Sequence, residues 1–164
     1  MMKILIKNKY SVRLLLIGPV DKADLPVFSS YMDDPAIKNA ITYFPWKDIS
    51  LLPSYITCSN LCLSPIFKNP QHESGVANKI FQYMLFARPI LVSNCLPQQK
   101  IVEEGNCGFV FESDNPVDLA DRVNLLLKSP ELCQKFGENG RKLVLKEYNL
   151  QNFGKNLVKL YDSV

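Results

Sequence analysis

The chain has 164 residues, 47% hydrophobic and 21% charged, with a net charge of +3 from 19 basic and 16 acidic side chains. That length suits one domain with a real core but not comfortably two, and the charge is too small and too dispersed to argue for a nucleic-acid partner. No apolar run approaches the roughly 20 residues of a membrane-crossing helix, and the basic start MMKILIKNKYSV lacks the apolar stretch and small-residue cleavage site of a signal peptide.

The first ten residues read as the tail of a helix, with Met2, Ile4, Leu5 and Ile6 apolar between lysines. Ser11–Pro19 is a continuous apolar run stopped by Gly-Pro, the mark of a strand buried on both faces. A polar stretch follows, in which Pro26 could open a helix through Phe28, Tyr31 and Met32. Ala40–Phe44 is a short strand stopped by Pro45. Asp48 offers an N-cap for a helix through Leu51, Leu52, Tyr55 and Ile56, with Pro53 tolerated only in its first turn. Asn60–Ile66 is the third strand, and Phe67–Ser74 a loop rich in turn formers.

Glu73–Asn94, ESGVANKIFQYMLFARPILVSN, organises the rest. It predicts a loop at Glu73, Ser74 and Gly75, a helix from about Val76 to Ala87, and a buried strand Pro89–Ser93. The helix is apolar on nearly every side except its first turn, where Asn78, Lys79 and Gln82 gather. Free amides and the positive dipole end would make that turn an anion site. A short helix Pro97–Glu104 ended by Gly105, a strand Gly108–Phe111 and a helix from Pro116 to Lys128 come next, then two helices, Pro130–Tyr148 and Leu150–Tyr161. Strand and helix alternate about five times, which predicts an α/β fold with a doubly wound parallel sheet, helices on both faces and extra C-terminal helices. Ligands of such sheets bind at the carboxyl ends of the strands.

Taken together, RLLLIGP, ITYFPW, LLPSYITCSNLCLSP, ESGVANKIFQYM, ARPILVSN, IVEEGNCGFVF and PVDLADRVNLLL resemble, in order, the C-terminal donor-binding domain of retaining, GT-B fold, group 1 glycosyltransferases. The resemblance spans about residues 3–163 and implies a Rossmann-like half of that fold. It implies a UDP- or GDP-sugar across the strand ends, with the diphosphate on Val76, Ala77, Asn78 and Lys79 and the base against the Tyr43–Lys47 loop, near Phe44 or Trp46. The carboxylate that usually holds the ribose falls at Gln82, and the one that contacts the sugar falls at or beside Ser74, making Glu73 the nearest acid. Glu73 and Lys79 are the implied catalytic groups, with Gly75 in the same loop. No cofactor or metal is implied beyond the donor. The implied mechanism is electrostatic: amides and a lysine stabilise the departing nucleoside diphosphate while the other domain positions the acceptor.

Departures from that pattern matter. An amide stands at Gln82, which can hydrogen-bond a diol but carries no charge, and the two acidic positions of the family lie one residue closer together than Glu73 and Gln82. Ala87 replaces the usual glycine before Arg88-Pro89. The first strand of the domain, its basic loop and the N-terminal acceptor domain are expected to be absent from residues 1–164, so that the chain would be a hexosyltransferase half acting with an acceptor-binding subunit or as a homo-oligomer, in building a polysaccharide or lipid-linked glycan. The alternative is a non-catalytic, degenerate domain kept for binding or assembly, and it predicts exposed apolar surface beside the missing strand. A flavodoxin-like switch would need an acidic or phosphate-loop cluster after the first strand, where only Asp21 and Asp24 occur.

Other candidates have plainer readings. Cys58, Cys62, Cys95, Cys107 and Cys133 are odd in number, with no C-x-x-C and no histidine beside them, and read as reduced core thiols of a cytoplasmic protein. His72, the sole histidine, reads as a surface loop residue, and Glu103 and Glu104 as solvated. No Ser-His-Asp, Cys-His or metal-ligand set can be assembled. Arg141 and the lysines of 138–159 could face the inner leaflet of a membrane peripherally, but the interleaved acids favour a solvated face.

Overall fold

The computed structural model describes residues 1–163, the side chains of Phe153 and Asn156 excepted. Helices and parallel strands alternate as α1 (Met2–Lys7), β1 (Leu14–Ile17), α2 (Leu25–Met32), β2 (Ile41–Phe44), α3 (Leu52–Thr57), β3 (Cys62–Ser64), α4 (Lys79–Leu85), β4 (Ile90–Ser93), α5 (Leu96–Gly105) and β5 (Gly108–Phe111). Three further helices close the chain: α6 (Pro116–Leu127), α7 (Pro130–Lys146) and α8 (Leu150–Asp162). The α/β class and the order of elements are those the alternation predicts.

The core forms around β4, whose four residues Ile90, Leu91, Val92 and Ser93 are all buried. Successive side chains of a strand leave opposite faces. Ile90 and Val92 therefore pack with Ile56 of α3, Ile80 and Met84 of α4 and Val144 of α7. Leu91 points the other way, among Leu5 of α1 and Leu119, Val123 and Leu126 of α6. Helix α7 lies close to α4 through its glycines: a Cβ on Gly137 would collide with the carbonyl oxygen of Ala87, and one on Gly140 would press on Met84 at 3.3 Å.

The sheet departs from a single continuous one. β1 pairs with β2, Leu14 opposite Ile41 through Ile17 opposite Phe44, while β3, β4 and β5 form a second sheet. Among the described residues no backbone hydrogen bond joins the two. They share helices instead. Tyr55 of α3 sets its ring 6.1 Å from Phe44 of β2, and its neighbour Ile56 enters the β4 core. On the other face Lys3 of α1 pairs with Asp34 beyond α2, and Leu5 of α1 packs beneath β4. One consequence corrects the reading of Ser11–Pro19 as buried on both faces. All four residues of β1 are only half-buried, because the strand has a single neighbour.

Local signals decide most helix starts. Asp48 accepts a hydrogen bond from the Ser50 amide at 2.8 Å and opens the short 3₁₀ turn that leads into α3. Asn115 caps α6 by accepting from the amides of Val117 and Asp118. Prolines sit in the first turns of α2, α3, α6 and α7. Two boundaries differ from expectation. α5 runs through Gly105 and stops at Asn106, which takes the left-handed conformation at φ 42°. α4 starts at Lys79 rather than Val76, with Asn78 at the N-cap position making no side-chain cap, so Val76 and Ala77 belong to the loop.

Cys62, Cys95 and Cys107 are buried and Cys133 half-buried, as core thiols should be, but Cys58 is exposed at the end of α3. Burial pushes the thiols of Cys62 and Cys107 up to about 12, which keeps them protonated and unreactive. Among the described residues no helix is long and apolar enough to cross a membrane.

Candidate functional site

Parallel strands leave their functional groups at their carboxyl ends, and both sheets carry candidate residues there. Beyond β1 and β2 a cleft of about 220 Å³ is walled by Gly18, Pro19, Trp46, Lys47, Leu52 and Tyr55. Trp46 stands 77% exposed on this wall. Phe44 does not line the cleft. Its ring lies under the Lys47 ammonium, with Nζ 4.1 Å from the centroid, and beside Tyr55. The two aromatic candidates thus separate: Trp46 offers a free face, whereas Phe44 supports Lys47 by a cation–π contact.

Beyond β3 the loop from Pro65 to Asn78 carries the remaining candidates. Several local bonds shape it. The His72 amide donates to Asn69 Oδ1 at 2.9 Å, the His72 ring donates through Nδ1 to the Phe67 carbonyl at 2.6 Å, and Ser74 Oγ donates to the Gln71 carbonyl at 2.7 Å. His72 is therefore a loop brace. Glu73 reaches across to α5, where both carboxylate oxygens accept from the Leu96 amide at 3.3 Å. A carboxylate at a helix N-terminus satisfies an otherwise orphan amide and complements the dipole. Gly75 is exposed with open space around its Cα, and Asn78 is exposed while Val76 and Ala77 are half-buried.

Lys79 and Gln82 lie three residues apart on α4 and so share a side of the helix. Lys79 is half-buried, and that burial pushes its ammonium below the usual lysine range. Among the described residues it forms neither an ion pair nor a hydrogen bond. Gln82 is half-buried too, and no hydrogen bond to its side-chain amide occurs among the described residues. A desolvated cation without a counter-charge is stabilised by an approaching anion, and a free amide on the same side of the helix can add a hydrogen bond. The helix itself adds less than the sequence suggests, because α4 has seven residues and begins three positions later than expected.

Three residues absent from the sequence reading stand behind this loop. Ser64 ends β3, Ser93 ends β4 and Gln98 lies in the first turns of α5; they are 1%, 0% and 1% exposed. Hydrogen bonds join all three, as detailed below. In sequence, Gln98 sits in the polar string PQQK, and nothing in that string marks it as buried. Only its long-range partners, 34 positions away at Ser64, reveal its place. A larger hollow, about 450 Å³, opens at the opposite strand ends between Asn60, Arg88 and Glu138, and no candidate residue reaches it. No group of three or more His, Cys, Asp or Glu among the described residues could hold a metal ion.

Comparison with known proteins agrees with this architecture. The family model described as "Glycosyl transferases group 1" matches residues 1–143. A capsular polysaccharide biosynthesis glycosyltransferase, CapM of Staphylococcus aureus, is 24% identical over 161 residues, covering 98% of this chain and 40% of that protein. Among solved structures, Anabaena Alr3699/HepE in complex with UDP superposes with a TM-score of 0.84 at 12% identity, covering 99% of this chain and 44% of that one. The C-terminal domain of a group 1 glycosyl transferase, LpcC of Francisella tularensis, superposes with a TM-score of 0.77 at 16% identity, covering 90% of this chain and 75% of that one. The chain spans about two fifths of the length of CapM. It belongs to the group 1 glycosyl transferases, with the Rossmann-like parallel α/β architecture of their GT-B fold.

Proposed function

We propose that this group 1 glycosyl transferase chain is a donor-binding half, taking a UDP- or GDP-sugar at the loop after β3 and transferring a hexosyl unit to a glycan or lipid-linked acceptor held by another domain or subunit. The observation that carries this reading is Lys79, half-buried and without an anionic partner among the described residues, at the carboxyl end of a parallel strand. A nucleoside diphosphate supplies the missing charge. Gln82, on the same side of α4, is placed to bond the ribose hydroxyls, and exposed Gly75 and Asn78 leave room for the phosphates. Trp46, on the wall of the cleft beyond β1 and β2, offers a face for the base. UDP bound by the structural relative Alr3699/HepE supports the ligand class.

In the transfer step, the bond from the anomeric carbon to the diphosphate oxygen breaks, the acceptor oxygen forms the new glycosidic bond to that carbon, and the acceptor's hydroxyl proton passes to the departing diphosphate. Lys79 and the loop amides stabilise the charge that develops on the departing diphosphate. Glu73 acts first as the brace that fixes this loop to α5; a sugar contact requires that carboxylate to turn from Leu96. Calorimetric titration of the purified chain with UDP, GDP and UDP-glucose tests the reading. Binding tighter than millimolar, weakened about tenfold by Lys79→Met and by Gln82→Ala, is expected for the loss of one charge-assisted or polar contact. No binding of either nucleotide refutes it.

The two open strand edges favour a second element of the reading. Among the described residues β1 bonds only to β2 and β3 only to β4, and the apolar β1 is half-exposed. An extended segment from outside residues 1–164, covering these edges, would bury that surface; the assembly alternative uses the same surface without turnover. A monodisperse monomer in light scattering that turns over a sugar nucleotide unaided would eliminate both. We place the reaction at the cytoplasmic face, where the basic residues of α7 and α8 could meet the membrane peripherally.

A further inference from the structure

The loop that carries Glu73 and Ser74 and leads into α4 at Lys79 leaves β3 through Ile66 and Phe67, and the carbonyls of these two residues are held from below. Ser93 Oγ donates to the Ile66 carbonyl at 2.5 Å. Cys95 Sγ donates weakly to the Phe67 carbonyl at 3.7 Å, and Ser113 Oγ approaches Ile66 at 3.4 Å. Gln98 organises this root. Its Nε2 donates to Ser93 Oγ at 2.8 Å, to the Ser93 carbonyl at 2.9 Å and to the Ser64 carbonyl at 3.3 Å, while its Oε1 accepts from Ser64 Oγ at 3.0 Å. A directed chain results: the Gln98 amide donates to the Ser93 hydroxyl, which donates to the Ile66 carbonyl. From there Phe67 accepts from His72, and the next residue, Glu73, accepts from Leu96, two positions before Gln98 on α5.

Side-chain chemistry explains why a glutamine is needed. The site presents two carbonyls and a hydroxyl that require N–H donors, and one hydroxyl that requires an acceptor, in a place sealed from water. Leucine would remove all four of these bonds, leaving the Ser93 carbonyl only the Cys95 amide and the two hydroxyls without their glutamine partner. A glutamate, ionised, could accept but not donate. We propose that Gln98 is a positioning residue for nucleotide binding: it touches no substrate, but through Ser93 and the Ile66–Phe67 carbonyls it fixes the loop on which the donor is held. This inference rests on the donor-binding reading.

The test uses the full chain, wild type and two variants, Gln98→Glu and Ser93→Ala. Amide exchange of the Phe67–Ser74 segment is read by NMR, and UDP affinity by calorimetry, at about pH 8 and about pH 5.5. The wild type serves as reference for His72, Glu73 and Cys95, the titratable groups bonded to the same loop and root. A buried carboxyl titrates well above its usual range. At the higher pH, Gln98→Glu is expected to speed loop exchange about tenfold and weaken UDP about tenfold, the equivalent of one buried hydrogen bond or slightly more. At the lower pH the protonated carboxyl donates again and both effects should shrink. Ser93→Ala breaks only the link to Ile66 and should give a smaller, pH-independent change, about threefold in each; it decides the matter if Gln98→Glu does not fold. Wild-type loop exchange in both variants, or a loosened loop with unchanged UDP affinity, overturns the inference. A wild type that binds no UDP refutes the donor reading instead, and the exchange arm still decides whether Gln98 sets the loop.

Discussion

Strands β1 and β4 are alike in sequence and opposite in circumstance. Leu14–Ile17 is LLLI and Ile90–Ser93 is ILVS, yet every residue of β4 is buried and every residue of β1 is half-buried. β4 has a partner on each edge, with α1 and α6 on one face and α3, α4 and α7 on the other. β1 has one partner and a sparser cover. Burial is thus decided by neighbours supplied from far along the chain, and an apolar run reports only the capacity to be buried.

Matched truncations break this comparison most sharply. Leu91→Ala should cost about 3–5 kcal/mol, since Leu91 is 0% exposed and its cavity cannot collapse between two helices. Leu15→Ala, the same chemistry in β1, should cost about 1 kcal/mol, because the half-exposed side chain buries less area. Denaturant melts of both variants supply the measurement, and equal costs would mean that the two sheets are equally covered. Without mutation, native-state hydrogen exchange should protect the amides of β4 to the global unfolding free energy, while those of β1 exchange through smaller local openings.

A gentler contrast concerns the two ends of α4. At its C-terminal end Ala87 holds φ 53°, a left-handed conformation that costs an L-residue about 1 kcal/mol. Ala87→Gly should relieve part of that strain and raise stability by about 0.5 kcal/mol, the gain being offset by a more flexible unfolded chain; thermal melting checks it. At its N-terminal end burial holds the Lys79 ammonium below its unfolded range. The unfolded chain therefore binds the proton more tightly, and this residue's contribution to stability rises with pH from the folded-state value to about 10.5. Lys79→Met should be more stable than wild type at neutral pH, with the advantage fading in alkali. On the donor-binding reading a saturating nucleoside diphosphate should narrow that advantage by about 1.4 kcal/mol, since the variant binds it about tenfold more weakly.

How far the sequence carried the fold follows from the range of each signal. Asp48, Asn115 and the first-turn prolines act within four residues, and the helices they open lie where expected. The late start of α4 left no local signal: a tight turn from the Ala77 carbonyl to the Ile80 amide precedes it, and Asn78, though of a capping type, makes no side-chain cap. The candidate site was legible as a place, the loop and helix after the third strand, because strand ends and polar clustering both point there. Its internal roles were not. Glu73 bonds an amide 23 positions away and Gln98 a serine 34 away, and neither spacing leaves a periodic trace. Phe44 and Trp46 share one short motif, yet Phe44 is half-buried while Trp46 stands exposed.

That last difference has a practical side. The chain has a single tryptophan, and it stands on the wall of the cleft beyond β1 and β2. Its emission is therefore a label already in place. In the free chain an indole exposed to this degree fluoresces at the long-wavelength, water-relaxed limit, and a ring stacked upon it would quench and blue-shift that light. If the base stacks on Trp46 as proposed, nucleotides can be ranked by fluorescence alone, without dye, fusion or turnover.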